Sequence, residues 1–244
     1  MSFEQLFEEI SHLRVLVIGD VMLDTYCWGV VERISPEAPV PIVAVKKTET
    51  RIGGAGNVAI NTAALVAETS IITFLGNDDA GSTLQKLLAA AGIQTNYLIQ
   101  TPDRPTTNKT RIMGRNQQMM RLDLEETADI SEALETAIWQ QIQAYFKEHV
   151  PQVCILEDYN KGLLTASLIK IEPTIEAAIA PMAAAPVNGI SIACQPGNWV
   201  AGAVSECISH ACCQFACQTS ARITINPATI NPNKETSLVT VNVV

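Results

Sequence analysis

Three short, nearly unbroken apolar runs punctuate this chain: Arg14-Val-Leu-Val-Ile-Gly-Asp20, Ile71–Leu75 and Val153-Cys-Ile-Leu156. Runs of this length without polar alternation predict strands buried on both faces of a parallel sheet, with functional loops at their carboxyl ends. Helical spacing of apolar positions separates them: at Phe3–Ile10, at Val58–Val66, from about Ser82 to Ala91, and in a long stretch ending near Lys147. Ser131 is placed to cap that long helix, with Glu132 and Glu135 at the positive end of its dipole. Asp129 is an alternative cap, with Glu132 three residues on. Strand and helix alternate, so the predicted fold is α/β with a largely parallel sheet. Two stretches break the alternation. Residues 25–32 and 39–46 read as exposed strands around the rigid turn Ser35-Pro36-Glu37-Ala38-Pro39. Strands near Thr95–Gln100, Thr107–Met113 and Gln117–Leu122 follow one another without helices. Together, 25–46 and 95–122 predict a small antiparallel sheet, a lid over one edge or face.

Composition narrows the function classes. The chain has 244 residues, enough for one large domain or a domain with an appendage. Net charge is −9, and no run of Lys or Arg could grip a nucleic-acid backbone. A few local cations still suffice for one phosphate group. The amino-terminal residues are amphipathic and acidic, unlike an export signal, and no apolar run approaches a membrane span. A soluble cytoplasmic protein is expected. Of the seven cysteines, five (Cys194, Cys207, Cys212, Cys213 and Cys217) crowd one stretch with a single nearby histidine, His210. They lack paired ligand spacing, so small buried hydrophobes are expected rather than a metal site or a disulfide framework. Composition shifts after residue 170: only 6 of the 41 charged residues lie beyond it, and no aspartate follows Asp158. Residues 177–204 are Ala-rich and helix-like, and 221–244 read as strand and turn.

Several positions carry candidate chemistry. Asp20 and Asp24 lie at and just beyond a strand end, where carboxylates can accept hydrogen bonds from sugar hydroxyls or serve as turn and cap residues. Gly53, Gly54 and Gly56 clear side chains where backbone must approach a ligand, or supply a tight turn. The helix start behind them offers free N–H groups. Lys109, Arg111, Arg115 and Arg121 form the one local basic cluster. They read either as a phosphate clamp or as solvated strand faces paired with Asp123, Glu125 and Glu126. Asp158 ends the last apolar strand, as a cleft residue or the cap of a following helix.

Taken in order, the segments Val17–Asp24, Arg33–Pro41, Gly53–Ala59, Gly76–Gly81, Thr106–Arg111, Gln117–Asp123 and Glu157–Gly162 resemble the ribokinase-like (PfkB) carbohydrate kinases. Arg33–Pro41 and Gln117–Asp123 look specifically like the D-glycero-β-D-manno-heptose-7-phosphate kinases. In many bacteria these form the first domain of a bifunctional ADP-heptose synthase. The resemblance covers residues 1–170. It implies a ribokinase-like three-layer sandwich with a β-strand lid, with ATP and Mg²⁺ as cofactors. The activity implied is phosphorylation of the anomeric hydroxyl of the heptose 7-phosphate, which feeds lipopolysaccharide-core synthesis. It assigns Asp20, Asp24, Gly53, Gly54, Asn57, Lys109, Arg111, Gln118, Arg121 and Asp158 to substrate binding, and a homodimer through the lid strands. Other kinases of the group, for adenosine, fructose phosphate or ribose, fit Arg33–Pro41 and Gln117–Asp123 less well. Gly56 stands where the family more often has Ala.

Residues 171–244 depart from that pattern. The family's late Gly-Ala-Gly-Asp motif, an anion hole followed by the general base, does not occur, so no catalytic residue is identified. An internal deletion or frame disruption between about 170 and 177 would produce this arrangement. The sequence therefore predicts an atypical carboxyl-terminal part, with sheet edges left exposed where central strands are missing. It poses two functions: a sugar-phosphate kinase, or an inactive phosphosugar-binding or dimerisation module.

Overall fold

The computed structural model describes residues 3–65, 67–115, 117–169, 221–224 and 237–243. The apolar runs form strands β1 (Arg14–Gly19), β4 (Glu68–Gly76) and β8 (Val153–Asp158) of one sheet, which β5 (Leu98–Thr101), β9 (Ala221–Thr224) and β10 (Ser237–Val243) complete. The strand order is β5-β4-β1-β8-β10-β9. All neighbouring pairs are parallel except β10 with the edge strand β9. The chain builds outward from β1 to β4 and β5, then returns to the other side of β1 with β8. That reversal makes the carboxyl ends of β1 and β8 a topological switch point, where open parallel sheets bind ligands.

Each face of the sheet has its own core, so the body has three layers. On one face Val15, Val17, Ile71, Leu75 and Ile155 pack against Leu84, Leu88, Ala55 and Ala59. The latter come from α2 (Ala55–Ala64) and α3 (Asp79–Ala90), with Ile10 of α1 (Phe3–Ser11) beside them. On the other face Leu16, Ile18, Ile72, Cys154 and Leu156 meet Leu134, Ile138, Ile142 and Tyr145 of α4 (Glu132–Glu148), along with Leu168 of the short α5 (Ala166–Ile169). The alternation of β1 between the two cores explains its unbroken apolar run. Leu16, Val17 and Ile18 are each 1% exposed or less, and burying such a side chain contributes roughly 1.5–3 kcal/mol.

Helix starts follow local chemistry. The Ser131 hydroxyl caps α4 by accepting from Leu134 N at 3.3 Å. The Asp78 carboxylate caps α3, accepting from Gly81 N at 2.7 Å, and also accepts from Thr106 N at 2.8 Å. That starts α3 earlier than the spacing predicts. Burial opposes ionisation of Asp78, but the N–H donors of Thr106 and Gly81 outweigh it and hold the carboxyl below its usual range.

The lid is a second sheet, ordered β3-β2-β6-β7, from β2 (Val21–Ile34), β3 (Pro41–Gly54), β6 (Asn108–Gly114) and β7 (Gln117–Leu124). Three expectations are corrected. The strand expected near Thr95–Gln100 is β5, which pairs with β4 in the main sheet. The lid is mixed, because β2 and β6 run parallel; the chain passes through β3, α2, β4, α3 and β5 between them and re-enters in the same direction. The sheet edges expected to be exposed where central strands are missing do not include β8, which pairs with β10 in register from Ser237 beside Val153 to Asn242 beside Asp158. The cysteines from Cys194 to Cys217 and the Ala-rich 177–204 stretch lie outside the described residues.

Candidate functional site

The site is built where the lid springs from the switch point. β1 ends at Gly19, Asp20 follows, and the chain continues directly into β2 of the lid. Asp20 is 2% exposed. Its carboxylate accepts three backbone N–H bonds, from Tyr159 (3.1 Å), Lys161 (3.0 Å) and Leu163 (3.1 Å). Burial raises its pKa above the usual carboxylate range; the three amides pull it back, and the Asp158 charge raises it further. Three of its roughly four acceptor sites thus shape the loop after β8, and one is left on Oδ1. That loop also needs Gly162, at φ +83, where a Cβ would run into the Ala128 carbonyl. Asp158 accepts from Asn160 N at 2.7 Å, a local turn bond that suits Asn160 at φ 55.

Four residues on, Asp24 sits in a different environment. It is half-buried in β2 and ion-paired with Arg111 of β6. Strand register carries the rest of the cluster to the same face. Asp24 lies between Arg51 and Lys109, and Lys109 opposes Asp123. In the next row Tyr26 lies between Glu49 and Arg111, and Arg111 opposes Arg121. One row further, Met113 opposes Gln118. Asp24, Lys109, Arg111, Arg121 and Gln118 therefore share one face. Arg115 does not join them; it occupies the β6–β7 turn at φ 54. The guanidinium groups of Arg51 and Arg111 lie 4.9 and 5.2 Å from the Tyr26 ring centroid, fixing both on this face. Arg121 pairs with Asp123 at 2.8 Å.

The glycines close the site from the core side. Gly53 stands where a Cβ would lie 2.5 Å from Asp24 Oδ2 and 2.8 Å from Met22 Cγ. Gly54, at φ +60, precedes α2 with its Cβ direction filled by the Asp20 carbonyl. α2 therefore starts at Ala55, earlier than the predicted Val58, and Asn57 lies on its first turn, half-buried.

Three residues absent from the sequence-derived set belong to this place. Lys161, 8% exposed, ion-pairs with Glu125 at 3.2 Å, and Lys109 of the lid reaches the same oxygen at 3.5 Å. Glu157 is fully buried, with the Tyr159 hydroxyl as the polar group beside its carboxylate. Burial, with the charges of Asp158 and Asp20, pushes it up to about 8. A glutamate closing an apolar run was the signal for Glu157. Nothing local marks the convergence of Lys161 and Glu125.

Chemically, the face offers a carboxylate for hydroxyl donors and cations for an anion, beside helix-start amides and next to a switch point. Similarity to known proteins bears on the family and the fold. The family model for pfkB family carbohydrate kinases matches residues 12–171. The chain is 47% identical over 165 residues to the bifunctional protein HldE of Desulfatibacillum aliphaticivorans, spanning 66% of this chain and 32% of that one. It is 41% identical over 174 residues to the D-beta-D-heptose 7-phosphate kinase of Bordetella bronchiseptica, spanning 70% of this chain and 52% of that one. A solved carbohydrate kinase from Agrobacterium tumefaciens superposes with a TM-score of 0.50 at 20% identity, over 69% of this chain and 51% of that one, and so shares the fold. The chain thus spans about a third to a half of the length of these curated relatives. With its three-layer body, its strand lid and its matched segments, the chain belongs to the pfkB family of carbohydrate kinases.

Proposed function

We propose that this chain recognises a phosphorylated sugar, D-glycero-β-D-manno-heptose 7-phosphate. Its role is the substrate-gripping part of the kinase that phosphorylates the anomeric hydroxyl with ATP, on the route to ADP-heptose and the lipopolysaccharide core. One observation carries the reading: a single lid face, rooted at the switch point, lines up Asp24 with Lys109, Arg111, Arg121 and Gln118. Asp24 and Asn57 would take sugar hydroxyls, and Gly53 and Gly54 let the ring approach the backbone. The cations would take the phosphate through charge-assisted hydrogen bonds. Asp20 and Asp158 act as positioning residues through the loop they hold.

Transfer itself is a separate matter. The chain has no Gly-Ala-Gly-Asp motif and no aspartate after Asp158, so the family's general base and anion hole have no counterpart. Among the described residues, no three His, Cys, Asp or Glu side chains come together as metal ligands. ATP and Mg²⁺ are the cofactors that the family's reaction implies. We therefore read residues 1–170 as the recognition portion and 171–244 as a divergent segment, in a cytoplasmic protein; no described helix is long and apolar enough to cross a membrane. The opposite lid face leaves Met120, Leu122 and Leu124 more than half exposed on edge strand β7, and a second copy of the chain is the occupant we assign to it.

Calorimetric titration with heptose 7-phosphate, run beside a coupled ADP-release assay with Mg-ATP, tests the reading. Binding without turnover is expected. Turnover would overturn the separation of grip from transfer, and no binding would overturn the substrate. Light scattering across a concentration series checks the dimer.

A further inference from the structure

The contact between lid and core at Glu125 has an unusual composition. Glu125 follows β7, Lys109 belongs to β6, and Lys161 belongs to the loop that Asp20 clamps. Both ammonium groups converge on one carboxylate oxygen, Glu125 Oε2, at 3.5 and 3.2 Å. That oxygen is buried and makes no hydrogen bond. Both distances exceed the roughly 2.7–2.9 Å of a charge-assisted hydrogen bond, so the pairing rests on charge rather than fitted geometry. The three side chains are only 19%, 10% and 24% exposed (Lys109, Lys161 and Glu125), which makes removal of the counter-ion costly unless another anion replaces it.

Here two cations share one carboxylate oxygen, while the neighbouring Asp24 and Asp123 pair with Arg111 and Arg121. A phosphate monoester carries about −1.5 to −2 at neutral pH and three acceptor oxygens, which matches two ammonium groups better than a single carboxylate does. We propose that Glu125 is a built-in stand-in for the ligand's phosphate: it occupies the anion position between Lys109 and Lys161 and gives it up when a phosphate monoester seats. The exchange joins lid to core through the ligand instead of through Glu125, and it makes Lys161 a phosphate-binding residue. This rests on the reading that the ligand is phosphorylated.

Inorganic phosphate titrated calorimetrically into the full chain at constant ionic strength tests the exchange. Glu125→Gln is expected to bind phosphate about tenfold more tightly than the parent chain, the scale of one removed competing contact, and Lys161→Gln about tenfold more weakly. Glu125 as a purely structural ion pair predicts the opposite for Glu125→Gln: affinity equal to or below the parent, with the circular dichroism spectrum intact, would overturn the proposal. If Glu125→Gln does not fold, Glu125→Asp serves, since it keeps the charge but is one methylene too short to sit between both lysines. An intermediate gain is expected, and no gain overturns the proposal. Heptose 7-phosphate titrated in parallel separates the two readings. A phosphate gain in Glu125→Gln without sugar-phosphate preference removes the substrate assignment alone; sugar-phosphate binding without that gain removes the exchange alone.

Discussion

Asp20 and Asp24 stand four residues apart on one continuous stretch of chain, yet the two sheets they serve use charge differently. In the six-stranded body a carboxylate answers to the backbone: the buried Asp20 accepts three amides, and the partly buried Asp78 caps a helix and holds the Thr106 amide. In the four-stranded lid, charges answer to one another across a half-exposed face, as Asp24 does to Arg111 and Arg121 to Asp123. Body charges hold the chain's shape, while lid charges can exchange partners for a ligand. Substitutions in the body should therefore cost stability first, and those in the lid should cost binding first.

The pair itself gives the sharpest break. Asp20→Ala leaves three amides without an acceptor in a buried loop, and should destabilise the chain by roughly 3–5 kcal/mol. Asp24→Ala should leave the denaturant midpoint nearly unchanged and abolish measurable sugar-phosphate binding. Urea unfolding and calorimetry on both variants check this; equal stability losses would erase the distinction between the sheets.

Glu157 sharpens the body side through pH. Its carboxyl is held near 8 in the folded chain against 4.5 for the free group. Between these values the folded state keeps a proton that the unfolded state has released, so stability falls as pH rises through the window. Asp20, also raised, contributes with the same sign. Glu157→Gln should flatten most of that slope and gain on the order of 3 kcal/mol at pH 8 relative to the parent. Thermal unfolding between pH 5 and 8.5 reads it; parallel slopes in the two proteins would assign the burial cost elsewhere.

On the lid side, Arg111→Ala should weaken phosphosugar binding by about 10–100-fold, the value of a charge-assisted contact. Arg111→Lys should recover only part of it, because Lys lacks the planar fork that stacks on Tyr26. Both should unfold at nearly the parent's urea concentration.

How much of this was legible in the chain depended on how local the cause was. The unbroken runs of β1, β4 and β8 announced a buried parallel sheet, because a strand covered on both faces has no polar alternation. Residues 107–113 and 117–122 read correctly as lid strands, and the basic residues within them clustered as their spacing suggested. β5 did not read correctly: it is short and looks like its lid neighbours, and only pairing with β4 places it in the body. The hold of Asp20 on the loop after β8 was hidden for the same reason. Its three donors lie 139 to 143 residues away, and nothing within a few positions separates a carboxylate aimed at a ligand from one aimed at a loop. The meeting of Lys109, Glu125 and Lys161 likewise needs the lid folded onto the body.

The smallest effect calibrates the comparison. Two residues competed in sequence to cap α4, Ser131 and Asp129, and the structure gives the bond to Ser131, whose hydroxyl accepts from Leu134 N. The cap anchors the helix whose Leu134, Ile138, Ile142 and Tyr145 cover one face of the body sheet. Ser131→Ala should cost about 1 kcal/mol, as lost caps do. Asp129→Ala should cost almost nothing. Arg121→Ala removes an ion pair whose arginine is 48% exposed, and should cost at most about 0.5 kcal/mol, since solvent screens such pairs. If one neutral cap on the body outweighs an ion pair on the lid in urea unfolding, the lid's charges contribute little to folding and remain free for a ligand. If the order reverses, the lid face is held together by its own charges, and a phosphate would have to compete with them for every contact it made.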